Sequence, residues 1–433
     1  MDQLEGRVGH LTPQQESKLA EMWAVMLKKC GTNEESPGVS NALGDDPPPK
    51  KERPAAKADP AHRKPHKGGA AADARPATAD AAETPLTQDE TRTALWSMVQ
   101  VEHPDALLLR FLRARKWDVE RAVAMLVATL RWRAKTVHVE QVLREGEGLA
   151  REQELSSQDG EAQKRGREFM FQMRAGKCVV RGVDRSGRPL CIVRVRQHFS
   201  RDQSEEVLKR WVVYIIETAR LAFTPPCDTA AVIFDLTGFG LGNLDYVPVK
   251  FIIQCFEANY PEMLGKVIVH KAPWFFPGIW KLVSTWIADP VIASKICFTT
   301  NTKELGQHVD PDRLPRELGG KDPWEYAYLE PGPDENATMR EAGERDRLLA
   351  EREALAREFE QATRQWVGAN SKADGGGDVK QRRNELAAKI NQENYWQLDP
   401  YIRARTLWDR LGIRTPDGQL NYYPEKTANG KIS

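Results

Sequence analysis

The sequence predicts an α/β protein with a helical N-terminal region. Two apolar runs at helical spacing, Leu108, Phe111, Leu112 and then Ala122, Met125, Leu126, Leu130, predict packed helices between Leu107 and Trp132. From Cys178 to Thr300, short β-rich runs alternate with helical stretches, the pattern of a sheet covered by helices. A third observation limits the folded part: Gly44 to Pro85 holds eight prolines and no Val, Ile, Leu, Met, Cys, Phe, Tyr or Trp. Such a stretch cannot bury enough apolar area to offset its ordering entropy, so it is expected to be disordered.

Composition narrows the classes further. The 433 residues carry 63 basic and 62 acidic side chains, a balance that argues against a nucleic-acid coat. A mean hydropathy of −0.58 fits a chain with a part that never packs. No apolar run approaches the roughly 18 residues that span a bilayer. The polar start, Met1 to His10, lacks the apolar stretch of a secretory signal. The six cysteines are widely spaced without a C-x-x-C pair, which suits free thiols in a reducing cytosol.

In chain order, Thr12-Pro13 predicts the capped start of an amphipathic helix to residue 30, with Leu19, Met22, Trp23, Met26 and Leu27 on one face. Asp118 is expected to cap a further helix after a turn at Trp117. Residues 178–195 read as a hairpin turning at Asp184-Arg185-Ser186-Gly187. A helix from Glu205 to Phe223 precedes a buried strand, Ala230 to Leu236. A helix (Val247 to Ala258), a strand (Lys266 to His270), an apolar helix (Phe275 to Ile287) and a strand (Lys295 to Thr300) follow, with another helix starting near Thr302. Met339 to Trp366 interleaves both charge signs around a thin stripe of Leu348, Leu355 and Phe359, which predicts a solvated or coiled helix. The large apolar groups between Gln381 and Leu411 predict a segment that packs back onto the fold.

Enzyme signatures are missing. There is no G-x-S-x-G elbow, H-E-x-x-H or P-loop. Gly238, Gly240 and Gly242 follow a strand, but at a spacing that suits a structural turn better than a dinucleotide loop. The histidines show no ligand spacing, so no metal is expected, and His270 and His308 read as structural.

Seven short motifs occur in order: LLRFLRARKWDV, GRPL, the strand ending Asp235-Leu236, NYPE, Lys271-Ala272-Pro273, DPVIASKI and LPRELGG. Together they resemble the CRAL-TRIO family, in its fungal phosphatidylinositol-transfer branch, over roughly Leu86 to Leu329. The resemblance implies a helical N-terminal tripod beside a lobe whose mixed β-sheet floors an apolar lipid pocket closed by a gate helix. It implies no enzymatic activity. It also implies transfer of phospholipid, phosphatidylinositol first, between membranes, with no cofactor other than the bound lipid. By the same resemblance, Arg115, Lys116, Glu262, Asp289 and Lys295 match the headgroup positions, the cations for phosphate and the carboxylates for inositol hydroxyls. Phe275, Phe276, Ile279, Trp280, Val283, Trp286 and Ile287 fall on the gate helix. A helix apolar all round must be buried or meet a membrane, and composition alone allows either. Ala230, Val232 and Phe234 would form the pocket floor.

Two departures matter. Ile292 stands where relatives place a threonine beside the headgroup. Ala230 and Val232 stand where relatives that exchange phosphatidylcholine carry hydroxyls, so a second ligand is expected to be apolar.

The expected organisation is an N-terminal helix and tail (1–43), a linker (44–85), a helical region (86–165), the lipid-binding domain (166–330) and a charged helical extension (331–433). The expected setting is a cytoplasmic monomer that visits endomembranes, contacts phospholipid and no nucleic acid, and presents inositol lipid to phosphoinositide kinases. The alternative is a lipid-responsive scaffold or small-GTPase regulator on the same fold, with the charged helix as its partner surface. A nucleotide enzyme built on the glycine loop is the third reading. Local charge is less even than the total: residues 107–135 hold eight basic and two acidic groups.

Overall fold

The computed structural model describes residues 4–31, 84–223, 227–370 and 377–423. All but the last two residues of the expected disordered stretch lie outside these. Helix α1 (Pro13–Lys29) starts as its sequence predicts: the Thr12 hydroxyl accepts from the Gln15 amide, and the Gln15 side chain accepts from the Thr12 amide. Helices α2 (Gln88–Val99), α3 (Pro104–Ala114) and α4 (Val119–Arg131) follow, and Asp118 caps α4 by accepting from the Arg121 amide. Helices α5 (Val139–Ser156) and α6 (Gly160–Ala175) follow; α5 lies inside the expected helical region 86–165 and α6 runs beyond it, though neither helix was predicted individually.

The sheet begins with β1 (Cys178–Val183) and β2 (Pro189–Arg194), an antiparallel pair whose Asp184–Gly187 turn is the predicted hairpin. Helix α7 (Glu205–Arg220) leads to β3 (Ala230–Asp235), and α8 (Tyr246–Gln254) to β4 (Leu264–His270). Then come α9 (Phe276–Val283), α10 (Pro290–Ser294), β5 (Ile296–Thr299) and α11 (Thr302–Leu305). Strand order is β1-β2-β3-β4-β5, parallel from β2 onward, so the sheet is mixed. Side chains alternate across it. Ala231, Ile233 and Ile268 face a core closed by Leu305, Leu314 and Leu318, so the LPRELGG segment seals one side. Val180 and Cys191 face the other side, against Ala219 and Ala222 beside α7.

The extension holds α12 (Ala342–Asn370), α13 (Gly377–Ala388), α14 (Tyr395–Ile402) and α15 (Leu407–Arg410). As expected, its last part packs back: Trp408 and Ile413 join the sheet cluster. The expectation of a solvated α12 is corrected. Leu348, Phe359 and Trp366 are fully buried. Phe359 sits against Trp23 and Trp96 at ring-centroid distances of 5.7 and 5.9 Å. Charged residues beside that stripe are paired rather than solvated: Glu360 accepts from the Trp96 indole (2.7 Å) and from Arg92 (2.9 Å). All six cysteines are free thiols.

Candidate functional site

Parallel pairing of β4 and β5 brings residues 33 positions apart together. Glu262 lies just before β4 and Lys295 just before β5, and Lys295 Nζ stands 3.4 Å from Glu262 Oε2. Asp289 joins them at one hollow, lined also by Ala114, Tyr260 and Ile292. The hollow measures about 10 Å³, room for one water. Asp289 has a local role too: its Oδ1 accepts from the Val291 amide (2.8 Å) and caps α10. Glu257 holds the approach to that cap by accepting from the amides of Ala288 (2.7 Å) and Asp289 (2.9 Å).

Glu262 is left-handed, φ +57°, a conformation that costs an L-residue about 1–2 kcal/mol. The Arg110 guanidinium fixes this bend by donating to the carbonyls of Asp228 (2.7 Å) and Glu262 (3.3 Å). Tyr260 donates to the buried Glu217 carboxylate (2.7 Å), which also pairs with Arg133 and Arg220. Burial alone would raise the Glu217 carboxyl, but the two guanidiniums hold it down at about 2.

Arg115 and Lys116 are not brought to the hollow. Helix α3 ends at Ala114, and Lys116 and Trp117 turn left-handed (φ +53° and +65°), which sends Lys116 into solvent. Arg115 donates to the Ala114 carbonyl instead. Besides Lys295, two cations missed by sequence reasoning act on Glu262: Arg110 donates to its carbonyl, and Arg113 feels its charge. Burial and the adjacent Arg110 push the Arg113 guanidinium down to about 10, against the pull of Asp228. The missed signal was helical phase: Arg110 and Arg113 lie three apart on one face of α3, next to the buried Leu107 and Phe111.

The helix expected as the gate is shorter than predicted, continuing past Val283 only as a 3₁₀ turn, Ser284–Trp286. None of its residues is buried, and none in α8 is. The reading of this helix as fully buried core is thereby excluded. Its inner side touches the sheet end through Phe275, Phe276 and Ile279, with Phe239 and Phe234. Trp280 meets Phe298 edge-on at 5.1 Å, and Trp286 meets Tyr246 at 5.3 Å. Val283 and Ile287 are half-buried. Just before α9, Trp274 is 91% exposed, and Leu282, Val291 and Phe298 are exposed beyond it. The three floor positions share one face of β3 by alternation but join different clusters. Ala230 packs beneath α7, Val232 near Cys191, and Phe234 under α9.

Residues 173–320 match the family model described as the CRAL/TRIO domain, and residues 75–128 match CRAL/TRIO, N-terminal domain. A CRAL-TRIO domain-containing protein of Schizosaccharomyces pombe is 41% identical over 341 residues, 79% of this chain and 72% of that protein. The chain belongs to the CRAL-TRIO family. A second relative in the family, from Eremothecium gossypii, is named phosphatidylinositol transfer protein CSR1 and is 41% identical over 318 residues, 73% of this chain and 70% of its own length. CRAL-TRIO proteins bind and transfer lipid, and the helical region and mixed sheet here are the CRAL-TRIO lobes expected from the motifs. No described helix is long and apolar enough to cross a membrane, and no group of metal-ligating side chains occurs among the described residues.

Proposed function

We propose that this chain carries phosphatidylinositol between membranes without chemical conversion. The observation that carries the reading is the meeting of Glu262, Asp289 and Lys295 at one hollow, next to two apolar helices with no buried residue. Lys295 supplies positive charge for a phosphodiester, and Arg113 lies close enough to Glu262 to feel its charge. Glu262 and the free oxygen of Asp289 supply acceptors for inositol hydroxyls. Because the hollow now admits only water, headgroup entry requires the Lys295–Glu262 pair to separate, each partner taking a ligand group in exchange. The acyl chains need an apolar enclosure: at about 0.8 kcal/mol per methylene, two chains of about 16 carbons would lose roughly 25 kcal/mol if left in water. The half-buried inner side of α8 and α9 and the front of β3 provide the surfaces that would take them. Ala230 and Val232 favour an apolar second ligand.

Delivery requires a membrane face. Trp274 and the exposed apolar residues after it can enter the interface, where tryptophan is favoured. A Trp274→Ala variant is expected to bind phosphatidylinositol-containing vesicles about 10- to 100-fold less well in sedimentation, from the loss of roughly 1.5–3 kcal/mol of burial, with an unchanged melting temperature. Equal sedimentation would move the docking face elsewhere.

Glu262→Ala and Lys295→Ala are each expected to weaken phosphatidylinositol binding by about 10- to 100-fold, the worth of one charge-assisted hydrogen bond, and to slow transfer between vesicles. Unchanged transfer in both would sink the headgroup assignment. The scaffold reading would have to use the charged face of α12, because the apolar stripe of that helix packs on the helical region.

A further inference from the structure

A second concavity lies between the helical region and the C-terminal extension. It measures about 760 Å³, within the roughly 300–1,000 Å³ of small-molecule sites. It shares no lining residue with the headgroup hollow. Its walls are largely apolar: Trp96 of α2, Leu143 of α5, Ala356 of α12, and Leu398 and Ile402 of α14.

Set in these walls is a cation without a counter-charge. Arg352 of α12 donates only to carbonyls, Ile390 O at 3.0 Å and Gln100 O at 3.3 Å, and stacks 5.5 Å from the Tyr395 ring. No carboxylate pairs with it among the described residues. Burial pushes its guanidinium down to about 10, opposed only by Tyr395. A guanidinium held this way is stabilised by any anion that reaches it. The other lining charges are committed: Arg92 to Glu353 and Glu360, Arg403 to Asp399 and Asp409, Glu145 to Arg210. Two polar atoms on the same wall are buried and unpartnered, Nη2 of Arg92 and Oε1 of Gln100. Gln100 is 5% exposed and held at φ +46°, a backbone conformation unusual for glutamine. At the rim, Arg144 is exposed and likewise has no carboxylate partner among the described residues.

We propose that this cleft is a second ligand site, for a single-chain anionic amphiphile. The acid group meets Arg352, with the free Nη2 donor of Arg92 on the same wall, and the chain lies along Trp96, Leu143, Leu398 and Ile402. An apolar wall alone would suit a neutral lipid; the half-buried cation with no carboxylate partner selects the anion.

The test uses the full chain and a photoactivatable diazirine fatty acid, with labelled peptides mapped by mass spectrometry. Label is expected on α12 and α14, within residues 342–402. Arg352→Gln is expected to reduce that label about tenfold while leaving any label within residues 246–298 unchanged. Leu349→Glu alters an exposed rim residue and is expected to reduce the same label at an unchanged melting temperature. Label confined to residues 246–298, or label on α12 and α14 that neither variant changes, would overturn the site. Equal labelling of α12 and α14 by the corresponding diazirine fatty alcohol would overturn the anion requirement.

Discussion

Replacing Glu217 by Gln is expected to lower unfolding stability by about 3–5 kcal/mol, because it leaves two buried guanidiniums without their shared carboxylate. Glu217 is fully buried, pairs with Arg133 and Arg220, and accepts from Tyr260. Neither arginine is rescued from solvent, since both are also fully buried. Of carboxylates, Arg133 retains Glu140 at 3.3 Å and Arg220 retains Glu102 at 3.1 Å, while Arg220 also donates to the Met98 carbonyl at 2.8 Å. Tyr260→Phe removes a single hydrogen bond from the same carboxylate and is expected to cost about 1 kcal/mol. Denaturant unfolding of the three proteins checks the ranking. The pH dependence gives a second check. The Glu217 carboxyl is depressed from 4.5 to about 2 in the folded chain. Its stabilisation is therefore fully present above its ordinary range and is lost as pH falls from 4.5 toward 2. The gap between wild type and Glu217→Gln should narrow over that window. A gap that persists undiminished at pH 2 would show that the carboxylate charge is not its source.

Phe359→Ala is the second large effect, expected to cost about 3–5 kcal/mol. Phe359 has no exposed surface and is ringed by Trp23, Trp96 and His103, with Arg383 5.0 Å over its face. Truncation leaves a cavity that these large rings cannot close without breaking the Trp23–Asp105 and Trp96–Glu360 hydrogen bonds. Phe359→Leu, which fills most of the volume, should recover the greater part. A loss below about 1 kcal/mol for the alanine variant would mean that α12 merely leans on the helical region.

Local features were the ones legible in the sequence. The Thr12 and Asp118 caps, the Asp184–Gly187 hairpin and the strands from Ala230 and Leu264 depend on residues within a few positions of one another. They lie close to where their patterns put them. Helix α12 was misread because its few apolar residues find partners more than 200 positions away, in α1 and α2, and periodicity carries no information about that distance. The composition of α9 allowed either burial or exposure, and only packing decides between them. Glu262, Asp289 and Lys295 could be grouped beforehand only through shared motifs, since strand pairing is what joins them. Arg115 and Lys116 do not line the hollow: the left-handed bend at Lys116 follows from the tertiary fold, not from its residue type.

The pairing of α1 with α12 sets a timetable for synthesis. The face of α1 that carries Trp23 leaves the ribosome more than 300 residues before Phe359 is made. At about 5–20 residues per second, that face waits on the order of 15–70 s for its partner. The CRAL-TRIO sheet, whose strand order follows chain order, can assemble within that interval. The helical region cannot complete its core until the extension arrives, so the nascent chain is a client for chaperones through its first helices rather than through its sheet.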